Sequence, residues 1–225
     1  AEKKIITAED PIEYRLPRIN QVQVNTAVDL TFANALRSML RQAPNVVMLG
    51  EIRDYETASI AINASLTGHL VFSTLHTNDA PSAVTRLTDI GVKPFLIASA
   101  TRCLMAQRLV RKICPKCETP TEPEKSELLA LGLDPDNIKD PNFLAGKGCD
   151  KCNGTGHKGR FGLFEVFVVD DESRKMIVNK VTTTDLRRRA REVGMRTLRE
   201  DGARKAVAGM TTANEVLRVT VGDEN

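Results

Sequence analysis

The sequence predicts an α/β protein: a parallel sheet with flanking helices, then a four-cysteine module, then a mainly helical C-terminal region. Three observations predict it. Short apolar runs alternate with helix-like segments through the first half of the chain. Two C-x-x-C pairs bracket a proline-bearing stretch of 31 residues, 118–148. The residues after the following strand carry helical rather than strand spacing. The parts are expected at 1–112, 113–158 and 159–225.

Residues 4–8, Lys-Ile-Ile-Thr-Ala, read as a short buried strand. It ends at Glu9-Asp10-Pro11, because proline cannot donate to a central ladder. Gln21-Val22-Gln23-Val24 alternates as a half-exposed strand does. Asp29 or Thr31 can cap a helix to Ala43, in which Phe32, Leu36, Met39, Leu40 and Ala43 recur at helical spacing before Pro44-Asn45. Val46-Val47-Met48-Leu49 is a continuous apolar run, as in buried parallel strands. It stops at Gly50-Glu51. Residues 55–67 read as a helix rich in Ala and Ile, and Leu70–Leu75 as a second buried strand flanked by His69 and His76. Helices are expected at 80–90 and 94–112, the latter carrying Cys103 as a buried apolar residue. This alternation implies a parallel sheet covered by helices. Such sheets bind ligands at the carboxyl ends of their strands, and Glu9, Glu51 and His76 all fall at such ends. Residues 114–158 break the pattern with Pro115, Pro120, Pro123, Pro135 and Pro141. Phe161–Val169 reads as a strand, and two or three helices close the chain.

Composition narrows the function classes. Hydrophobic residues make up 41% of the 225, ordinary for a folded protein. The net charge of +3, from 32 basic and 29 acidic residues, is too balanced to argue for nucleic acid. No apolar run is long enough to span a membrane. The chain opens without a signal peptide or an initiator Met, so a piece of a longer protein is expected. Basic residues cluster late, from Arg187, Arg188, Arg189 and Arg191 to Arg204 and Lys205. Glu192, Glu200 and Asp201 interleave with them, which reads as a solvated helix face; anionic lipid or a partner protein is the alternative. Four of the five cysteines form C-x-x-C pairs, so metal ligation in a reducing, cytoplasmic compartment is expected over disulfides.

Three segments carry candidate chemistry. In Val46–Asp54 an apolar strand ends in Glu51, the geometry that brings an acid to a metal beside a nucleotide's phosphates. The plainer alternative is a strand-end acid paired with Arg53. Thr7–Tyr14 gathers Glu9, Asp10 and Glu13 at a strand end, where they could coordinate metal or orient a water, or form an exposed acidic turn. Thr67–Asp79 brackets a strand with His69 and His76, which could be capping residues only. Arg37 and Arg41 stand four apart, one turn apart on a helix face. Their planar guanidinium groups suit phosphate oxygens; the alternative is a solvated flank.

Together these segments resemble the Asp box, Walker B box and His box of the secretion ATPase superfamily, in its order and spacing. The resemblance is closest to the pilus-extension and type II secretion branch. It rests on Gly-Glu-Ile-Arg-Asp (50–54), Leu-Arg-Gln-Ala-Pro (40–44) and Ser-Thr-Leu-His-Thr-Asn (73–78), and continues through 106–111, the cysteine pairs and 194–202. It implies a RecA-like motor with ATP and Mg²⁺ as cofactors. Glu9 would orient the attacking water and Glu51 would act on the Mg²⁺ side of the γ-phosphate, or the two would exchange. His76 would sense the γ-phosphate with His69 in support. Arg37 and Arg41 match the family's trans-acting arginines, and Arg53 and Arg86 are weaker candidates. Nothing in the sequence matches G-x-x-x-x-G-K-[ST], which holds the phosphates and which the family carries upstream of its Asp box. The intact protein is expected to be a homo-hexamer, cytoplasmic and peripheral to the inner membrane. It would work with an inner-membrane platform protein and with secretion or pilus assembly components; no nucleic acid partner is expected.

Cys114, Cys117, Cys149 and Cys152 can supply two thiolates from each of two tight turns, completing a structural Cys₄ site for Zn²⁺. His157 could replace a ligand, but the four cysteines are expected to fill the site without it. The Gly148–Gly156 stretch also resembles one zinc repeat of a heat-shock co-chaperone family, read as convergent turn chemistry. The retraction branch of the superfamily is understood to lack the cysteine module, which favours pilus extension or type II secretion. The rival reading is a non-enzymatic zinc-ribbon module that binds nucleic acid or a protein partner, or a chaperone-type zinc module. Neither explains the three motif-bearing strand ends.

Overall fold

The computed structural model describes residues 3–221. In chain order its strands are β1 (Ile5–Glu9), β2 (Asn20–Gln23), β3 (Val46–Leu49), β4 (Leu70–Ser73), β5 (Cys103–Ile113), β6 (Glu118–Pro120), β7 (Leu144–Gly146) and β8 (His157–Val168). Its helices are α1 (Phe32–Leu40), α2 (Tyr55–Leu66), α3 (Ser82–Asp89), α4 (Pro94–Ala100), α5 (Lys125–Ala130), α6 (Asp171–Val178), α7 (Thr183–Glu192), α8 (Leu198–Val207) and α9 (Ala213–Val219). The chain forms two compact units. One is made of the residues up to Arg102 with Val169–Arg189, the other of Cys103–Val168 with the residues from Ala190 on. The divisions expected at 112 and 158 fall inside β5 and β8, two strands that pair with each other.

The first unit is built on a parallel sheet of order β2-β1-β3-β4. Ile6, Ala8, Val47 and Leu49 of the two central strands are buried, as apolar runs covered on both faces require. Thr31 caps α1 by accepting from the Asn34 N–H, and Ala33, Ala35, Leu36 and Met39 form its buried stripe. The helix stops at Leu40, short of the expected Ala43, which takes a left-handed φ of 49° before Pro44, where the αR region is disfavoured. Asp54 caps α2 by accepting from the Thr57 N–H. β4 departs from expectation: Leu70 and Phe72 are 49% and 54% exposed, because β4 lies at the sheet edge among the described residues.

The second unit carries a larger departure. Instead of one helix over 94–112, α4 ends at Ala100 and β5 begins at Cys103. β5 pairs antiparallel with β8 from Cys103↔Val168 to Ile113↔His157. Ladder hydrogen bonds over this length outweigh the helix propensity of Leu, Met, Ala, Gln and Arg in 104–108. Cys103 is therefore exposed at a strand end, not buried on a helix. α8 and α9 cover the inner face of the ribbon, burying Val110, Leu163, Phe167, Leu198 and Val216. Gly202 permits the approach, since a Cβ there would meet Val216 Cγ1 at 2.3 Å. Among the described residues four α-helices, not two or three, follow β8. The late basic run is more than a solvated face. Arg187 pairs with the buried Asp79 at 2.8 Å, Arg189 with Asp170, Arg191 with Glu200 at 2.5 Å, and Lys205 with Asp201 at 2.5 Å.

Candidate functional site

Parallel strand direction determines which residues meet. β1, β3 and β4 run the same way, so their carboxyl ends share one edge of the sheet. β1 ends in Glu9, Gly50-Glu51 follow β3, and Thr74 to His76 follow β4. The exits are bound together. The Gly50 N–H donates to the Ala8 carbonyl at 2.7 Å. The Ile52 N–H donates to the Thr74 carbonyl at 3.0 Å, and Thr74 Oγ1 donates to the Gly50 carbonyl at 2.5 Å.

Glu51 has a partner on each oxygen. Arg53 pairs with Oε1, and His76 Nε2 lies 2.7 Å from Oε2. The Arg53 hydrogen bond holds the carboxyl below the usual glutamate range; burial opposes it and His76 adds to it. Asp10 contributes to the electrostatic field at Arg53, so the guanidinium serves carboxylates from both strand ends. The alternative foreseen for Glu51, a strand-end acid paired with Arg53, is thus present in the structure. Such a pair is also compatible with a metal-side role, because Arg53 is largely exposed and its side chain free to withdraw.

Glu9 is held differently. Thr7 Oγ1 donates to Glu9 Oε1 at 2.5 Å and Gln21 Nε2 donates to the same oxygen at 2.9 Å. Neither residue was singled out from the sequence. The available signal was the i, i+2 relation of Thr7 to Glu9, which puts both on one face of β1.

Other candidates sit apart. His69 precedes β4, at the end of the sheet opposite Glu9 and Glu51, and its Nδ1 lies 3.1 Å from the Ala64 carbonyl at the end of α2. Glu13 is exposed in the loop after β1. Arg86 is exposed in the last turn of α3. Arg37 pairs with Glu56 of α2 and donates to Asn34 Oδ1 at 3.0 Å. Arg41 makes no ion pair or side-chain hydrogen bond among the described residues. Neither arginine has a polar contact with Glu9 or Glu51.

The four cysteines converge, with all four Sγ atoms within 4.8 Å of one another. Sγ separations of 3.9 Å (Cys114–Cys149), 3.9 Å (Cys117–Cys152) and 3.7 Å (Cys149–Cys152) match the edge of a tetrahedron with metal–sulfur bonds of ~2.3 Å. Burial pushes the Cys152 thiol up, but N–H donors from Cys149 (3.2 Å) and Gly156 (3.3 Å) outweigh it and bring it down, while burial pushes the neighbouring Cys117 thiol up. The backbone thus favours the thiolate that ligation needs. Glycine is required beside the cluster: a Cβ on Gly146 would lie 2.0 Å from the Gly156 carbonyl oxygen. This donor set fits a metal ion. His157 lies outside the cluster, its Nδ1 3.0 Å from the Thr155 carbonyl.

Comparison with known proteins identifies related chains. A family model described as type II/IV secretion system protein matches residues 1–218. The type IV pilus assembly ATPase PilB of Thermus thermophilus is 51% identical over 220 residues, covering 98% of this chain and 25% of that protein. The type II secretion system protein E of Pseudomonas aeruginosa is 51% identical over 218 residues, covering 97% and 43%. The chain therefore spans a quarter to less than half of these relatives. Among solved structures, the pilus retraction motor PilT with bound ADP aligns with a TM-score of 0.67 at 26% identity, covering 96% of this chain and 52% of that one. The ATPase DotB of Legionella pneumophila shares the fold, with a TM-score of 0.66 at 23% identity and coverage of 98% and 52%.

Proposed function

Because this chain belongs to the type II/IV secretion system protein family, we propose that it is part of a motor ATPase of a type II secretion or type IV pilus assembly machine. The observation that carries the proposal is the convergence of Glu9, Glu51 and His76 at the carboxyl ends of adjacent parallel strands. In this reading Glu9 accepts the proton of the attacking water. Glu51 faces the metal side of the γ-phosphate, with Asp10 adding negative charge at Arg53. His76, bonded to Glu51, reports whether the γ-phosphate is present. Mg²⁺, when bound with ATP, neutralises the charge that builds on the phosphate oxygens. The chain's own contribution is positioning and electrostatics.

The same proposal makes the cysteine cluster a structural Zn²⁺ site, since four thiolates fill a tetrahedral shell and leave no open position. It gives the full-length protein a homo-hexameric form, with Arg37 and Arg41 of one subunit serving the site of the next. Its place is cytoplasmic, peripheral to the inner membrane, against a platform protein that receives the motion. No helix among the described residues is long and apolar enough to cross a membrane.

The test is ATP turnover by the full-length protein and its Glu51→Gln variant. Glu51→Gln is expected to lower kcat at least 100-fold, on the order of the charge-stabilising contributions seen in phosphoryl transfer, while the protein still binds nucleotide. Unchanged turnover in Glu51→Gln would show that the chemistry lies elsewhere.

A further inference from the structure

We propose that Thr7 and Gln21 are positioning residues that clamp one oxygen of Glu9 and leave the other for the attacking water. This rests on the reading of Glu9 as the proton acceptor given above. A carboxylate offers two oxygens and about four lone-pair sites. Both donors converge on one of them: Thr7 Oγ1 and Gln21 Nε2 reach Oε1 at 2.5 and 2.9 Å. No donor among the described residues reaches Oε2.

The two donors are fixed by separate parts of the fold. Thr7 is 3% exposed on β1, and its β-branched side chain has few rotamers. Gln21 lies on the neighbouring strand, in register with Thr7. Its amide is committed at both ends. Nε2 also donates to the Tyr14 carbonyl at 2.9 Å, and Oε1 accepts from the Leu16 N–H at 2.8 Å. Turning the amide over would break three hydrogen bonds at once, so the donor end is locked towards Glu9. The same amide also anchors the loop between β1 and β2.

The consequence is chemical. Glutamate is long and rotamer-rich, and a base works only within hydrogen-bond reach of the proton it takes. With Oε1 held from two strands, Oε2 has a fixed position. As the water oxygen bonds to the γ-phosphorus, its proton passes to Oε2. The bond from phosphorus to the bridging oxygen breaks, and ADP leaves with that electron pair. Thr7 and Gln21 touch neither water nor nucleotide in this scheme; they act through Glu9.

The experiment uses the full-length protein with Glu9→Gln, Thr7→Val, Thr7→Ser and Gln21→Glu. Thr7→Val keeps the shape and removes the donor; Thr7→Ser keeps the donor. Gln21→Glu keeps the shape and replaces the donor with a repelling carboxylate. Glu9→Gln is expected to lower kcat about 100-fold or more, as loss of a general base does. Thr7→Val and Gln21→Glu are each expected to lower kcat at least about 10-fold, with KM for ATP within about twofold of wild type, as misplacement of a reacting group does. Thr7→Ser should retain more than about half of the turnover. Thr7→Val at the wild-type rate beside an inactive Glu9→Gln overturns the clamp and leaves the proposed function standing. Equal losses in Thr7→Val and Thr7→Ser, or a change confined to KM, also overturn it. Full turnover in Glu9→Gln removes the reading of Glu9, and the clamp with it. Should Thr7→Val fail to fold, Gln21→Glu, on a partly exposed strand, decides the question alone.

Discussion

Glu9 and Glu51 are both strand-end carboxylates, yet their surroundings differ in kind. Glu51 is met by a guanidinium and an imidazole, while Glu9 is met by a hydroxyl and an amide. The ionic partners tie Glu51 to Arg53 and His76, while the hydroxyl and the amide fix the orientation of Glu9. Both acids, and His76, were legible in the sequence because a strand end is visible as an apolar run that stops. Thr7 and Gln21 were not, since their contact with Glu9 depends on the pairing register of β1 and β2, which periodicity does not supply. The same blindness hid Glu215, which is 2% exposed on α9 and joins to β5 across more than a hundred residues of sequence. Burial pushes its carboxyl up, but Arg111 at 2.7 Å and Arg218 at 2.7 Å outweigh burial and bring it from 4.5 down to about 2. A carboxyl depressed in the folded state stabilises the fold above its unfolded value, and that stabilisation is lost as pH falls towards the folded value. Stability of this chain is therefore expected to fall between pH 4.5 and about 2. Glu215→Gln should cost about 2 kcal/mol at neutral pH, as the loss of charged hydrogen bonds does, and should flatten this part of the pH profile. Urea denaturation at a series of pH values reads both, and an unchanged acid slope in the variant would remove Glu215 from the account.

Among the elements, β2 was readable by its alternation, β1 and β3 as short apolar runs with clear stops, and α2 by its Ala- and Ile-rich composition. β5 was not. Leu104, Met105, Leu109 and Val110 fit a helical stripe nearly as well as a strand, and only the partner β8 decides between them. The segment between the cysteine pairs was readable by its ligands, not its period. It nonetheless contributes some core of its own: Leu128 and Leu131 are buried, and α5 packs on α9. Metal ligation would act on that segment in particular. Binding of a structural zinc supplies on the order of 10 kcal/mol in small metallo-domains, far more than these two leucines. About one zinc per chain is therefore expected by elemental analysis, and chelation should raise amide exchange over 114–158 while β1, β3 and α2 stay protected. Cys114→Ser should do the same without chelator. A metal-free preparation with slow exchange across this segment would contradict the zinc assignment.

At the scale of the molecule, the proposed role of Arg37 and Arg41 is the part of the reading that involves a second copy. Arg37 lies on the exposed flank of α1 and Arg41 is exposed at its C-terminal cap, and neither has a polar contact with Glu9 or Glu51. Among the described residues Arg37 is held by Asn34 and by Glu56 alone, with the Arg37 and Glu56 side chains 48% and 61% exposed. Such a surface pair contributes about 0–1 kcal/mol, so a phosphate can replace Glu56 with little loss. Among the described residues Arg41 has no polar partner to give up. If these arginines serve phosphate chemistry, the phosphate belongs to a site on another subunit. Full-length Arg41→Ala should then bind nucleotide normally and lose on the order of 10³ in turnover, as the removal of an arginine finger does. Glu51→Gln should also be inactive, but through the acidic side of the site. In a 1:1 mixture of the two, about a quarter of the interfaces in a cyclic assembly pair an intact acidic side with an intact arginine. Activity should therefore reappear at a level neither variant reaches alone, and should rise with mixing time as subunits exchange. Two arginines acting within their own subunit would leave every site defective in the mixture, and its turnover would be no more than the average of the two variants.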